Sequence, residues 1–521
     1  MTAATVAFTL NGAPVLVPAE GSLLDALRES LAIHSAKDGC SPQGQCGCCT
    51  VWIDGQPRVA CVTQIGRVAG RSVTTIEGLA DAPEWGRSFA DHGGSQCGFC
   101  TPGIVMRAAA LTEDERRLPD AVKQAMLAHL CRCTGWQTVV ESVTGVGVDR
   151  RRSDVDASAS AARAELEGGA AQSVGPHVAL GMGGFADDQA PADALVAMRG
   201  IDGQWVVGES LAEARALSGK VQGRRTTVPL TWPLDVPPGD WVRTLRTTWV
   251  EPAYLEPDAS WCEPGGEPAG PLANGGAFGG KVDTDVGRVA RALADTHGRP
   301  VRVIATREDV VRYGPKRPPI GAGVGADGTG AIHVTRTPGI AAAISAYAPS
   351  FDVVEVNVAG PPTSTTLRGA GWAEAAVLLA SLGSGPEWHV RTPSGATAAA
   401  GIAADGSVHV RVRCGRALDA VVLRSYCIGA AHMALGWVRS EGLVVDEHGV
   451  PVDLTIRSFG ILRAVDTPHI DVEIEDDGGV PVNGSDAVFA AVATAAWAAT
   501  GWQPQWPTGA SAAAHGSRSK P

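Results

Sequence analysis

Alternation of apolar and polar residues begins almost at the first residue. VAFTLNG and APVLV, from Val6 to Val17, have a period of two and read as a pair of strands. A short helix, LLDALRES, follows, then a glycine- and cysteine-rich loop, then the strand pieces TVWIDG and PRVACV. From about residue 82 the period changes. WGRSFADHG, PGIVMRAAALTEDERR and PDAVKQAMLAHL read as helices, with Pro102 near a start and Gly135 beyond an end. Residues 146–173 are small, polar and unpatterned, which predicts a linker. The last residues, PTGASAAAHGSRSKP, predict a disordered tail.

The 521 residues predict about three or four domains. A net charge of −12 argues against a nucleic-acid partner. The longest apolar candidate for a membrane span, around Ala487 to Ala499, is alanine-rich and too short. MTAATVAFTLNG lacks the basic and apolar regions of a signal peptide, so the expectation is a cytoplasmic, intracellular protein with no membrane partner.

Cysteine changes the picture most. Eight of the 12 cysteines fall in two sets: Cys40, Cys46, Cys49 and Cys61, then Cys97, Cys100, Cys131 and Cys133. Each set joins a tight loop to a distant contribution, as four thiolates around an iron–sulfur centre require. The first spacing is one residue longer than the plant-type C-x4-C-x2-C, so the loop must absorb an extra residue. Structural zinc and disulfides are the rivals; zinc usually takes two C-x2-C knuckles, and disulfides suit a secreted chain. Cys48, between two ligands, is a packed or free thiol, or an alternative ligand. The histidines, among them His34, His92 and His432, show no ligand spacing. Trp437 and Trp497 lie in apolar helical context and read as core.

The order C…CGCC…C followed by QCGFCTPG…CRCTG resembles the iron–sulfur part of the xanthine oxidase family of molybdenum hydroxylases, over residues 4–140. The resemblance implies an α+β chain: a β-grasp ferredoxin domain (1–80) and a four-helix [2Fe-2S] domain (81–145), then a linker (146–175). A reduced α/β molybdopterin-binding-like region follows, with a hammerhead-like remnant (176–248) and a shortened core (249–506) before the tail (507–521). The implied cofactors are two [2Fe-2S] clusters, one on each cysteine set, with FAD on a partner chain. Gln96 stands where the family has a pterin-contacting glutamine.

Weaker likenesses continue in family order. GMGGFADD opens the hammerhead, WVVGESLAEARALSG is similar to its strand–helix unit, and RTTWVEPAYLEPDASW resembles an EHxYLEP strand around Tyr254 to Pro257. NGGAFGGK, from Asn274, is similar to a GGGFGGK loop and would bring Gly276, Phe278 and Gly279 to molybdopterin. TLRGAGWAEA places Arg368 near a substrate pocket, CGRALD resembles a late helix start, and HIDVEIED resembles a strand before the last loop. Where the family has a GxGE glutamate, NGSDAVF offers Asp486 as catalytic base, shorter by one carbon–carbon bond, about 1.5 Å. Such a misplacement can cost about 100-fold. The long strand-rich insert and the pterin-gripping GQG-type loop are missing. The resemblance therefore implies an electron-transfer component working with an FAD-binding subunit and a full-length molybdopterin subunit. A self-contained molybdopterin hydroxylase of a heterocycle or aldehyde is the alternative, and a non-enzymatic metal scaffold the second.

Overall fold

The computed structural model describes residues 4–148, 156–220, 228–270 and 275–509. The opening alternation becomes a hairpin, β1 (Thr5–Leu10) antiparallel to β2 (Ala13–Pro18) with Leu10 opposite Ala13. Its turn is Asn11–Gly12, both at positive φ (51° and 85°), which matches the twist of two-residue hairpins. β3 (Thr50–Ile53), β4 (Gln56–Val59) and β5 (Ser72–Thr74) complete a five-stranded sheet in the order β2-β1-β5-β3-β4. The helix predicted over 23–30 forms, capped by Ser22, and widens into a π turn from Ala26.

Helices α1 (Ala82–His92), α2 (Thr101–Ala108), α3 (Pro119–Ala125) and α4 (Gln137–Gly145) follow. The run predicted as one helix over 102–117 is two. Thr112 starts a new turn, Glu113–Arg116, in which its hydroxyl accepts from the Glu115 N–H and the Glu115 carboxylate accepts from Thr112 N–H.

The linker expected at 146–175 contains α5 (Ala157–Gly168), capped by Asp156; residues 149–155 lie outside the described part. The buried face of α5 includes Ser160, Arg163, Ala164 and Glu167, a helical stripe that is largely polar. Its partners lie more than 250 residues away in sequence, as with Arg163 and Ala417, so no hydrophobic period announced it.

Three four-stranded sheets make up the rest. β6 (Leu195–Arg199), β7 (Trp205–Gly208), β9 (Ala259–Cys262) and β10 (Val301–Ile304) form one, in the order β7-β6-β10-β9, with α6 (Val286–His297) packed on it. β8 (Arg243–Arg246) joins β11 (Ile320–Val324), β12 (Gly330–Thr335) and β13 (Phe351–Val356) in the second. The expected boundary at residue 248 therefore cuts through two sheets, because β6 pairs with β10 and β8 with β11. The stretch Tyr254–Pro257, expected as a strand, is buried but irregular, with Ala253 at φ 60° between two prolines that withhold ladder N–H groups.

The third sheet, β14 (Trp388–Arg391), β15 (Thr397–Ile402), β16 (Val408–Arg413) and β17 (Ile470–Glu475), is met by two long helices, α8 (Ala420–Arg439) and α9 (Ser485–Ala499), with α7 (Trp372–Ala380) against α9. α8 and α9 pack side by side, and Trp437 stacks on Phe489 at 5.2 Å. Trp437 and Trp497 are buried, as expected. Among the described residues the longest apolar helix is α8 rather than the 487–499 run; 89% of its apolar window is buried inside the fold, the signature of a core helix. Residues 443–464, expected in the C-terminal region, join the core of the cysteine-bearing quarter through Leu443, Ile456 and Phe459. Of the expected tail, Thr508 and Gly509 donate to the carbonyls of Val438 and Arg439 at the end of α8; residues 510–521 lie outside the described part.

Candidate metal centre and adjoining cleft

Both cysteine sets close in space. Cys40, Cys46 and Cys49 sit on the loop before β3, and Cys61 follows β4; all are at most 6% exposed. The extra loop residue is absorbed by left-handed backbone at Ser41 (φ 56°) and Gly44 (φ 69°). Cys40 touches Cys46 and Cys61, and Cys61 touches Cys49. Backbone N–H groups of Gln43 and Cys61 point at Cys40 Sγ (3.1 Å) and Cys49 Sγ (3.4 Å).

The second set is built from two helix starts. Cys97 and Cys100 lead into α2, whose N-terminus favours a thiolate, and Cys131 and Cys133 precede α4. Cys97 Sγ lies 3.6 Å from Cys133 Sγ, close to the spacing of about 3.8 Å between two thiolates held tetrahedrally at 2.3 Å by one metal ion. Cys131 touches Cys100 and Cys133 and lies 3.0 Å from the Thr134 hydroxyl. Its thiol is pulled well below the usual range by the S–H groups of Cys100 and Cys133; Cys40 is pulled down likewise by Cys46 and Cys61. Among the described residues no three His, Cys, Asp or Glu side chains are grouped to hold a single ion. Each set is instead a continuous row of four touching thiols, Cys46–Cys40–Cys61–Cys49 and Cys100–Cys131–Cys133–Cys97, the number of thiolates that a two-iron unit takes.

The sets are joined directly. Leu130 N–H, one residue before Cys131, donates to the Cys46 carbonyl at 3.0 Å. Beside this bond His129 Nε2 lies 3.1 Å from the Thr50 hydroxyl, and burial pushes His129 down to about 3, so it stays neutral. Gly47 is required here, because a Cβ would sit 2.5 Å from the His129 ring.

Gln96 meets the second set through its amide, Nε2 donating to the Cys133 carbonyl and the Ser425 hydroxyl, both at 3.0 Å. Its buried Oε1 has no hydrogen-bond partner among the described residues. α8 fills the space beside it, so close that a Cβ at Gly429 would lie 1.8 Å from the Cys133 carbonyl oxygen.

The weaker family likenesses converge on a cleft of about 370 Å³. Phe278, Gly279, Arg368 and Asp486 all line it, whereas Gly276 is seated on the second cysteine set, where a Cβ would come within 3.3 Å of Cys133 Sγ. Asn274 lies outside the described residues. The Arg368 guanidinium stacks on Phe278 at 3.7 Å, pairs with Asp486 at 3.0 Å and donates to the Ser485 hydroxyl. Burial raises the Asp486 carboxyl, and Arg368 opposes the rise. Asp486, expected as a free base, is thus one half of an ion pair.

One residue of the cleft was invisible in the sequence. Glu167, from α5, is fully buried against Arg163 (2.9 Å) and accepts from the N–H groups of Gly484 and Ser485 at the start of α9. Arg163 in turn donates to the carbonyls of Ala417, Arg416 and Val482. Only a recognised helix at 157–168 with glutamate one turn after arginine would have pointed to it.

The donor set does not suit molybdopterin, which carries phosphate. The amides that would receive an anion hold Glu167, Lys281 is paired with Glu256 at 2.6 Å, and Arg368 is paired with Asp486. The expected pterin contacts at Gly276, Phe278, Gly279 and Arg368 find no free cation in the cleft among the described residues.

A family model described as a [2Fe-2S] binding domain matches residues 75–144. The chain is 42% identical over 147 residues to an aldehyde oxidoreductase of Megalodesulfovibrio gigas, a match spanning 26% of this chain and 16% of that protein. It is 34% identical over 146 residues to the xanthine dehydrogenase iron-sulfur-binding subunit of Escherichia coli O157:H7, spanning 27% of this chain and 91% of the relative. The solved aldehyde oxidoreductase from Desulfovibrio gigas superposes with a TM-score of 0.70 over 97% of this chain and 99% of that one, at 15% identity, a likeness of fold. The two thiol sets and these relatives together place the chain in the xanthine oxidase family of molybdenum hydroxylases, an oxidoreductase family, with its first quarter similar to the family's iron–sulfur subunits.

Proposed function

We propose that the chain is the iron–sulfur electron-transfer component of a multi-subunit molybdenum hydroxylase. Cys40, Cys46, Cys49 and Cys61 hold one [2Fe-2S] cluster and Cys97, Cys100, Cys131 and Cys133 the other. Each cluster, when bound, accepts and releases one electron at a time. The observation that carries the reading is the single hydrogen bond from Leu130 to Cys46, which links a ligand residue of one set to the neighbour of a ligand in the other. Burial of all eight thiols keeps water from the sulfurs, and the Thr134 hydroxyl and the Gln43 N–H stabilise negative charge on Cys131 and Cys40.

Electrons enter at the second set, beside the Gly276 loop, and leave from the first toward an FAD-binding subunit. Substrate oxidation belongs to a full-length molybdopterin subunit, onto which the C-terminal region docks as a scaffold. The cleft supports this assignment, since its carboxylates and cations neutralise one another within the chain.

Metal analysis of anaerobically purified chain tests the reading. About four irons, two per cluster, with matching acid-labile sulfide and no molybdenum are expected. Stoichiometric molybdenum would establish the self-contained hydroxylase instead, and zinc without sulfide or visible absorption would leave a scaffold. The chain used as bait should also retain a flavoprotein from its own cells.

A further inference from the structure

A buried charge sits inside the second cysteine set. Arg132 stands between Cys131 and Cys133, and its side chain is 3% exposed. Its guanidinium donates to both carboxylate oxygens of Glu441, at 2.6 and 2.7 Å, and through Nε to the Pro252 carbonyl at 2.9 Å. Gly276 shows how near this arginine is to the sulfurs: a Cβ there would lie 2.7 Å from Arg132 Cβ and 3.3 Å from Cys133 Sγ. Among the described residues Glu441 is the one carboxylate paired with Arg132. The neighbouring cations have others: Lys316 has Glu251, Arg317 has Glu374 and Arg368 has Asp486.

Glu441 arrives from 309 residues along the chain, just past the end of α8, where the backbone doubles back. Its N–H donates to the Gly436 carbonyl at 2.8 Å, and its carboxylate lies over Gly436, where a Cβ would be 2.0 Å from Oε1. A cavity of about 40 Å³ beside the pair is lined also by Phe278 and Arg368, which line the cleft as well. The pair thus stands between the second cysteine set and the cleft, and two parallel bonds between buried groups hold it in one geometry.

Arginine keeps its charge at every working pH, so only a partner can cancel it. A cluster that gains an electron becomes more negative, and an unpaired cation beside it would favour that reduced form. We propose that Glu441 is a positioning residue for electron transfer: by pairing with Arg132 it cancels the positive charge between Cys131 and Cys133 and keeps the reduction potential of the second cluster low. The second cluster then gives its electron readily to the first, one being oxidised as the other is reduced. This rests on the two-cluster reading and deepens it, since a residue of the C-terminal region sets a property of the relay.

The test is an anaerobic potentiometric titration of the full chain, both paramagnetic signals being followed in wild type, Glu441→Gln, Glu441→Asp and the double variant Arg132→Gln/Glu441→Gln. Cys131→Ala, which removes one signal, identifies the second cluster. In Glu441→Gln both signals and about four irons remain, and the second cluster moves to higher potential, the first moving less. The expected change is up to tenfold in its reduced-to-oxidised ratio at a given potential, about 59 mV for one electron. Glu441→Asp, which keeps the charge on a shorter side chain, stays near wild type, and the double variant, which has neither charge, returns to it. An unmoved second cluster, equal movement of both, an aspartate or double variant that shifts as far as Glu441→Gln, or loss of the second signal in Glu441→Gln (which would make the pair structural) each overturns the proposal. Wild-type protein without colour or iron would overturn the relay reading itself.

Discussion

The cysteine-bearing quarter and the C-terminal region resemble their relatives in opposite ways. The first is 34% identical to a known iron–sulfur subunit, with all eight thiols in place. The second is matched only within a whole-chain likeness of fold, 15% identical over 97% of the chain, and its cleft is neutralised from within by Glu167, Arg368 and Asp486. Many apolar residues of similar size satisfy a packed core, so a fold survives extensive substitution. A cluster tolerates no such exchange, because each iron needs particular sulfur atoms at fixed distances.

Breaking that contrast most severely should be Cys131→Ala. Iron is expected to fall from about four to about two per chain with one paramagnetic signal lost. Cys131 lies within the core of the first quarter, so thermal unfolding of the C-terminal region, followed by tryptophan fluorescence, should change far less. Equal collapse of both regions would show that they are one folding unit.

Next is Glu167→Ala, which attacks the other side. It strands a fully buried Arg163 and bares two amides of α9, a loss of about 3–5 kcal/mol in the C-terminal transition. Visible absorption of the clusters at room temperature should be unchanged. A loss below about 1 kcal/mol would mean that α5 is dispensable to the cleft.

Asp486→Asn sharpens the comparison. The side chain is about a quarter exposed, so the Arg368 pair should yield a smaller loss, about 1–3 kcal/mol, with iron content unaffected. Substrate-dependent reduction of the clusters by the isolated chain, abolished by this variant, would restore Asp486 as a base.

The smallest effect is a pH dependence in the first quarter. Burial holds His129 near 3, against 6.5 for a free histidine, so between those values the unfolded chain binds more protons. Stability from this group is complete above pH 6.5 and declines as pH falls toward 3, by at most about 1.4 kcal/mol per pH unit. His432, held near 4 by burial, adds a similar slope over a narrower range. Denaturant midpoints measured between pH 6.5 and 4.5 should show the decline, and His129→Gln should flatten it; an unchanged slope would assign the decline elsewhere.

Much of the first quarter was legible because its signals are local. The Asn11–Gly12 turn, the apolar alternation of β1 and the cysteine spacings each act within a few residues, and the sheet and both thiol sets followed from them. The extra loop residue was legible as a problem, but its solution, left-handed backbone at Ser41 and Gly44, was not. Farther along, local rules gave out. α5 has a polar buried stripe because its partners are carbonyls and amides of distant loops, and no periodicity records such partners.

By itself, then, the sequence determined that eight thiols are available in two loop-and-helix settings, since ligand chemistry is written in residue type and spacing. The tertiary structure alone decided that residues 443–464 share the core of the first quarter and that a helix stands where a linker was expected. It alone decided, too, that Asp486 is spent on Arg368. Each of these outcomes depends on which groups from remote segments arrive to satisfy a buried charge or an open apolar face. That is a property of the folded whole, set by long-range packing and desolvation rather than by any short stretch of chain.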